Sequence, residues 1–197
     1  QGPAQLRESL GIPQDAFVVG TLGRLTQVKG QDDLLRAIAR LETFPWLLLV
    51  GAGEEEANLR VLAQELGISQ RVVFSGWRQD TGDVLRSMDL FAFPSLNEGM
   101  GKALVEAMYL RRPVVATHVG GIPHLLEDGC HGLLVAPRSV SELAQAIDRL
   151  MADRTLSKEL GEAAHLQSVS YGVAPMVEKI DEMYRELIVG AEMATRH

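Results

Sequence analysis

Two cations and two carboxylates stand out in this sequence by type and spacing. Arg24 and Lys29 lie in the run GRLTQVKG between Gly23 and Gly30, and Glu98 and Glu106 begin and end the run EGMGKALVE. Fixed cations just ahead of a helix suit a phosphate, because the unsatisfied N–H groups and dipole of the helix start favour anions. Carboxylates flanking a glycine turn suit vicinal hydroxyls, since each accepts two hydrogen bonds from a diol. Gly99 and Gly101 let a ligand approach the main chain, so the N–H groups at the start of the helix that follows are further candidates for sugar or phosphate oxygens. Plainer readings stand beside these: Arg24 and Lys29 as solvated loop charges, Glu98 as a helix cap, Glu106 as a surface charge. Against the last, Glu106 lies between Val105 and Met108 in an apolar segment, where a buried acid without a partner is costly.

The elements that must position these residues follow from hydrophobic period. Residues 16–22 (AFVVGTL), 46–50 (WLLLV), 72–74, 90–93, 113–117 (PVVAT) and 133–135 are short apolar runs with glycine or proline at or within two residues of an end, as buried strands are. Between them the spacing predicts helices over 31–41, 54–66, 83–88, 103–110 and 141–151, the last with a serine cap. Six strands that are apolar on both faces and alternate with helices imply a Rossmann-like α/β fold: an open, parallel, six-stranded sheet with helices on both faces. After Asp153 the strand signal stops, and helices over 156–167 and 174–189 form a C-terminal helical tail. The expected division is a ligand-binding domain over 1–153 and appended helices over 154–197. In such sheets ligands bind outside the carboxyl ends of the strands, which singles out loops 23–30, 51–55, 75–79, 95–102 and 117–121.

Other motifs carry less. Gly51-Ala52-Gly53 supplies two glycines of a dinucleotide loop, but Glu56 replaces the third, and Glu54, Glu55 and Glu56 occupy the helix start. Three acids where a pyrophosphate would sit argue against NAD; their expected role is a favourable interaction with the helix dipole. His118 borders the same carboxyl-end cleft and reads as a polar loop residue before a catalytic base. His124, His131, His165 and His197 share no ligand-like spacing, and no His/carboxylate cluster suggests a metal.

The formal charge is −7, with no lysine or arginine run, which argues against DNA or RNA as a general partner. A basic pocket can still exist within an acidic molecule, because an anion senses charges within about 8 Å at physiological salt. Cys130 is the single cysteine, so no internal disulfide forms and a cytoplasmic setting fits best. No apolar run approaches the roughly 18 residues that span a bilayer, and the first residues lack the character of a signal peptide. The chain opens on glutamine, which suggests a piece of something longer.

With these residues in order, the chain resembles the C-terminal half of the group 1 (family 4) glycosyltransferases, retaining enzymes of the GT-B fold. The markers are GRLTQVKG at 23–30, VVFSG at 72–76, MDLFAFPS at 88–95, EGMGKALVEAM at 98–108, PVVATHVGG at 113–121 and GLLVAP at 132–137. The resemblance implies a nucleoside-diphosphate-sugar donor, UDP- or GDP-linked, bound without a metal or other cofactor. It implies that Glu106 binds the ribose hydroxyls, that Glu98 contacts the transferred sugar, and that the main-chain N–H groups from Gly99 to Ala103 meet sugar and phosphate. Gly23, Arg24 and Lys29 would hold the diphosphate, and Glu98, Arg24 and Lys29 would carry the catalytic roles. Group transfer requires stabilisation of charge on the departing diphosphate, which two cations and a helix N-terminus can supply. Met100 stands where the family often has phenylalanine, Lys102 where an aliphatic residue is common, and Arg111-Arg112 where a small residue and glycine are usual. The resemblance further implies an N-terminal acceptor-binding domain, absent from this chain, through which any membrane contact would run; alone, this piece binds but hardly turns over. Two alternatives remain at this stage: a donor-binding or regulatory module without transfer activity, and a nucleotide-sugar epimerase, for which acids and bases are not evident.

Overall fold

The computed structural model describes residues 2–172. Its six strands are β1 (Val18–Leu22), β2 (Trp46–Val50), β3 (Val72–Phe74), β4 (Leu90–Phe93), β5 (Val114–Thr117) and β6 (Leu133–Val135). They form one parallel sheet in the order β3-β2-β1-β4-β5-β6. The eight α-helices among the described residues are α1 (Pro3–Ser9), α2 (Gln31–Ile38), α3 (Glu56–Glu65), α4 (Thr81–Arg86), α5 (Lys102–Tyr109), α6 (Ile122–Leu125), α7 (Val140–Ala152) and α8 (Arg154–Val169). This is the expected α/β architecture.

Both faces of the sheet are covered, and the alternation along each strand divides the core in two. Val19, Leu47, Leu49, Leu90, Ala92 and Val115 face α2, α3 and α7. Val18, Leu48, Val50, Phe91, Phe93, Val114 and Ala116 face α1, α4, α5 and α6, where Ala164 of α8 also packs. Burying a side chain such as Leu48 or Phe91 contributes about 1.5–3 kcal/mol, and these strands bury side chains on both faces.

The helix starts and ends differ from the sequence reading by local chemistry. The helix expected over 31–41 ends at Ile38, and that expected over 83–88 begins at Thr81 and ends at Arg86. The helix expected from Ser141 starts at Val140; Ser139 precedes it but makes no side-chain cap bond. Asp153 instead caps α8, accepting a hydrogen bond from the Leu156 amide at 2.9 Å. The helix expected over 174–189 lies outside the described residues.

Two helices went unread. α1 begins on Pro3 and buries only Leu6, too little for an apolar period to register. Its anchor is polar: Arg7 donates to the Ser87 and Ala16 carbonyls and to Asp89 Oδ2 at 2.9 Å, and Asp89 Oδ2 also accepts from the Val18 amide. The foot of the β1–β4 seam is thereby pinned. α6 is a single turn that begins on Ile122-Pro123.

Candidate functional site

Strand order reverses direction between β1 and β4, and the loops leaving their carboxyl ends diverge there to leave a crevice. The loop after β1 carries Arg24 and Lys29; the loop after β4 carries Glu98 and runs into α5, which carries Glu106. A cleft at this end is lined by Gly23 and Arg24 after β1, Gly51 and Ala52 after β2, Trp77, Arg78 and Thr81 after β3, and Lys102, Ala103 and Glu106 of α5.

The structure brings the predicted residues together as two neighbouring groups. In one, Lys29 Nζ lies 2.5 Å from Glu98 Oε2 and 5.6 Å from the centre of the Phe93 ring. Ser95, itself buried, presents its hydroxyl 3.4 Å from the same carboxylate oxygen. Glu98 is therefore not a helix cap: the residue preceding α5 is Gly101, at φ 61°. In the other group, Glu106 faces the cleft with Lys102 Nζ 3.6 Å from its Oε1. Its side chain is 32% exposed, so the carboxylate keeps solvent access and the feared burial without a partner does not arise. Among the described residues Arg24 makes no side-chain hydrogen bond or ion pair, which leaves its guanidinium available to a ligand. Met100 is 66% exposed on the loop before α5.

Glycines set how closely these loops nest. A Cβ on Gly51 would stand 1.9 Å from the Gly23 carbonyl oxygen, and one on Gly53 2.1 Å from that of Leu25. The Leu25 amide donates to the Ala52 carbonyl and the Glu55 amide to that of Leu25. Gly51-Ala52-Gly53 is thus a bed for the cation loop, not a dinucleotide loop. Likewise Gly120, at φ 51°, would place a Cβ 2.0 Å from the Glu98 carbonyl oxygen, which accepts from the Gly121 amide. His118 is exposed beside this contact. Thr117, buried at the end of β5, donates from its hydroxyl to the Ser95 carbonyl and so ties β5 to the loop of Glu98.

Sequence reasoning named the loop at 75–79 but none of its residues. Trp77 is 70% exposed at the edge of the cleft. Arg78 donates from Nε and Nη2 to the two oxygens of Asp80 at 2.8 and 2.7 Å. This bidentate hydrogen bonding holds the Asp80 carboxyl below its ordinary pKa. A tryptophan directly after the strand and turn VVFSG was the readable signal. Among the described residues no group of three or more His, Cys, Asp or Glu side chains is placed to hold a metal ion, and no helix is long and apolar enough to cross a membrane.

Comparison with known proteins follows the same geometry. Residues 4–167 match the family described as "Glycosyl transferases group 1". Over 160 residues the chain is 39% identical to the lipopolysaccharide core biosynthesis glycosyltransferase LpsE of Rhizobium meliloti (strain 1021), covering 81% of this chain and 46% of that protein. It is 37% identical over 193 residues to the D-inositol 3-phosphate glycosyltransferase of Corynebacterium jeikeium (strain K411), covering 92% of this chain and 46% of that one. Among solved structures, Anabaena Alr3699/HepE in complex with UDP superimposes with a TM-score of 0.88 at 32% identity, over 93% of this chain and 52% of that chain. The same protein is also solved with UDP-glucose. The chain spans about half the length of the curated relatives it matches.

Proposed function

The chain belongs to the group 1 glycosyl transferases, and from that premise we propose that it is the donor-binding half of a retaining, metal-independent enzyme that takes a UDP-sugar. The observation that carries this reading is the convergence of Arg24 and Glu106 on one cleft at the point where the sheet reverses. Arg24 meets the diphosphate and Glu106 the ribose diol. Trp77, at the edge of the same cleft, offers its indole face to the base, a contact worth about 1–3 kcal/mol in other base-stacking sites. The choice of uridine over guanosine rests on the 32% identical neighbour solved with UDP and UDP-glucose.

Glu98 is the residue proposed for the transferred sugar. Its charge is engaged by Lys29, which suits orientation of sugar hydroxyls better than nucleophilic attack. As the bond to the sugar breaks, charge grows on the departing diphosphate, and Arg24 and Lys29 with the N–H groups at the start of α5 stabilise it without a metal. A further domain, supplying the acceptor site and any membrane contact, completes the enzyme; the half-length overlap with the relatives supports that reading. The single cysteine supports a cytoplasmic setting.

Calorimetric titration of the 197-residue chain with UDP, UDP-glucose and GDP, with and without EDTA, tests this. UDP and UDP-glucose are expected to bind more tightly than GDP, unchanged by chelation. Loss of binding in EDTA overturns metal independence, and absence of binding by all three overturns the donor assignment.

A further inference from the structure

Arg24 is exposed, so packing of its own side chain does not aim it; its direction depends on how firmly the main chain beneath it is held. The residues on either side are fixed by the bed of Gly51 and Gly53, with Leu25 fully buried. The Arg24 carbonyl has a partner of another kind. Gln31, the first residue of α2 and only 3% exposed, donates from Nε2 to it at 2.9 Å, across the loop that carries both cations.

We infer that Gln31 is a positioning residue for Arg24, its buried amide fastening the cation loop at the peptide from which that guanidinium projects. The amide is itself rigidly mounted. Gly30 precedes it at φ 64° and lies so close to β4's exit that a Cβ would stand 2.2 Å from the Pro94 carbonyl oxygen. Arg138 Nη1 grips the other side of the helix start, 3.0 Å from Asp32 and 3.4 Å from Asp33. α2 therefore presents the Gln31 donor from a fixed point, and the Arg24 carbonyl takes it together with the Thr26 amide at 3.1 Å. A preorganised cation costs no rearrangement when the diphosphate arrives, which is how fixed donors gain over mobile ones.

The effect on ligands rests on the donor reading proposed above; the fastening itself does not. Gln31→Met keeps the length of the side chain and removes the donor. Relative to the parent chain it is expected to bind UDP about tenfold more weakly, the scale of one net hydrogen bond, and uridine equally well, because uridine has no diphosphate to meet Arg24. In the ligand-free protein the Thr26, Lys29 and Gly30 amides are expected to exchange with solvent about tenfold faster, on the same scale. Should Gln31→Met fail to fold, Gln31→Asn, one methylene too short to span the loop, is read the same way. Equal losses for UDP and uridine, which a merely structural role would produce, overturn the proposal, as does an unchanged UDP affinity beside unchanged exchange. If the parent chain binds neither ligand, the donor reading fails, and exchange alone decides: faster loop amides in the variant support the fastening and unchanged ones overturn it.

Discussion

Lys29 and Glu98 meet at 2.5 Å across the reversal of the sheet, one from the loop after β1 and the other from the loop after β4. With side chains 24% and 15% exposed, they form a half-buried ion pair. Breaking such a pair by deleting one partner leaves a charge that must find another. A diphosphate is a natural second partner for the lysine, so the two residues cannot be treated as independent contributions to binding.

If the donor sits as proposed, Glu98→Gln should release Lys29 toward the diphosphate and weaken the contact to the sugar. UDP affinity is expected to hold or rise slightly, and UDP-glucose to weaken relative to UDP. Parallel titrations of the two ligands check this; a variant that discriminates them as the parent does places the sugar elsewhere.

Glu106→Gln is expected to weaken UDP and uridine alike by roughly 10- to 100-fold, the range for losing hydrogen bonds to a charged acceptor. Pyrophosphate binding should stay level or improve, because Lys102 loses its partner at 3.6 Å. Retention of uridine binding would remove Glu106 from the ribose.

Arg24→Ala should weaken UDP, leave uridine unaffected, and flatten the dependence of UDP affinity on salt. Its melting temperature should match the parent's, since Arg24 is exposed and makes no side-chain bond among the described residues. A shifted melting temperature with unchanged UDP affinity contradicts the assignment.

Gly120→Ala introduces a Cβ at φ 51° and 2.0 Å from the Glu98 carbonyl oxygen. Backbone strain alone costs on the order of 1–3 kcal/mol, and the carbonyl must also move. A lowered melting temperature with loss of UDP-glucose discrimination is expected; UDP-glucose binding at parental strength in a stable variant contradicts the close contact.

Acid stability tests the Arg78–Asp80 pair. The Asp80 pKa is lowered in the folded chain, so its contribution is present above the ordinary carboxylate value of 3.8 and is lost as pH falls through the lower folded value. Asp80→Asn should therefore be less stable than the parent by a constant margin at pH values well above the ordinary carboxylate value, and the margin should close as pH falls through the lower folded value. A margin that persists in acid traces to something other than the charge.

The strands were legible because each is a short apolar run with glycine or proline at or within two residues of an end, a pattern that needs no knowledge of its neighbours. The carboxyl-end rule then placed Arg24 and Glu106 near one another without showing that they line one cleft. What stayed hidden depends on partners far off in the chain. Gln31 looks like an ordinary polar residue at a helix start, and its function exists only because the Arg24 carbonyl folds back onto it. The pairing of Lys29 with Glu98 spans 69 positions. At Gly51 and Gly53 the acids that follow argued against a dinucleotide, but the positive use of the glycines, to admit another loop's carbonyls, has no local signature.

The strand order also bears on how the protein reaches its folded state. β1 pairs with β2 nearby, but on its other edge it must wait for β4, and the Val18 amide finds Asp89 across 71 positions. Contacts of that separation form late, since the intervening chain must be closed into a loop before they repay it. The segments before and after this seam can each collapse first, and the seam then joins them, at its foot through Arg7 and Asp89 and at its head through Lys29 and Glu98. Nucleotide affinity should therefore be the last property regained in refolding, appearing with the slowest kinetic phase and after most of the helical signal has returned.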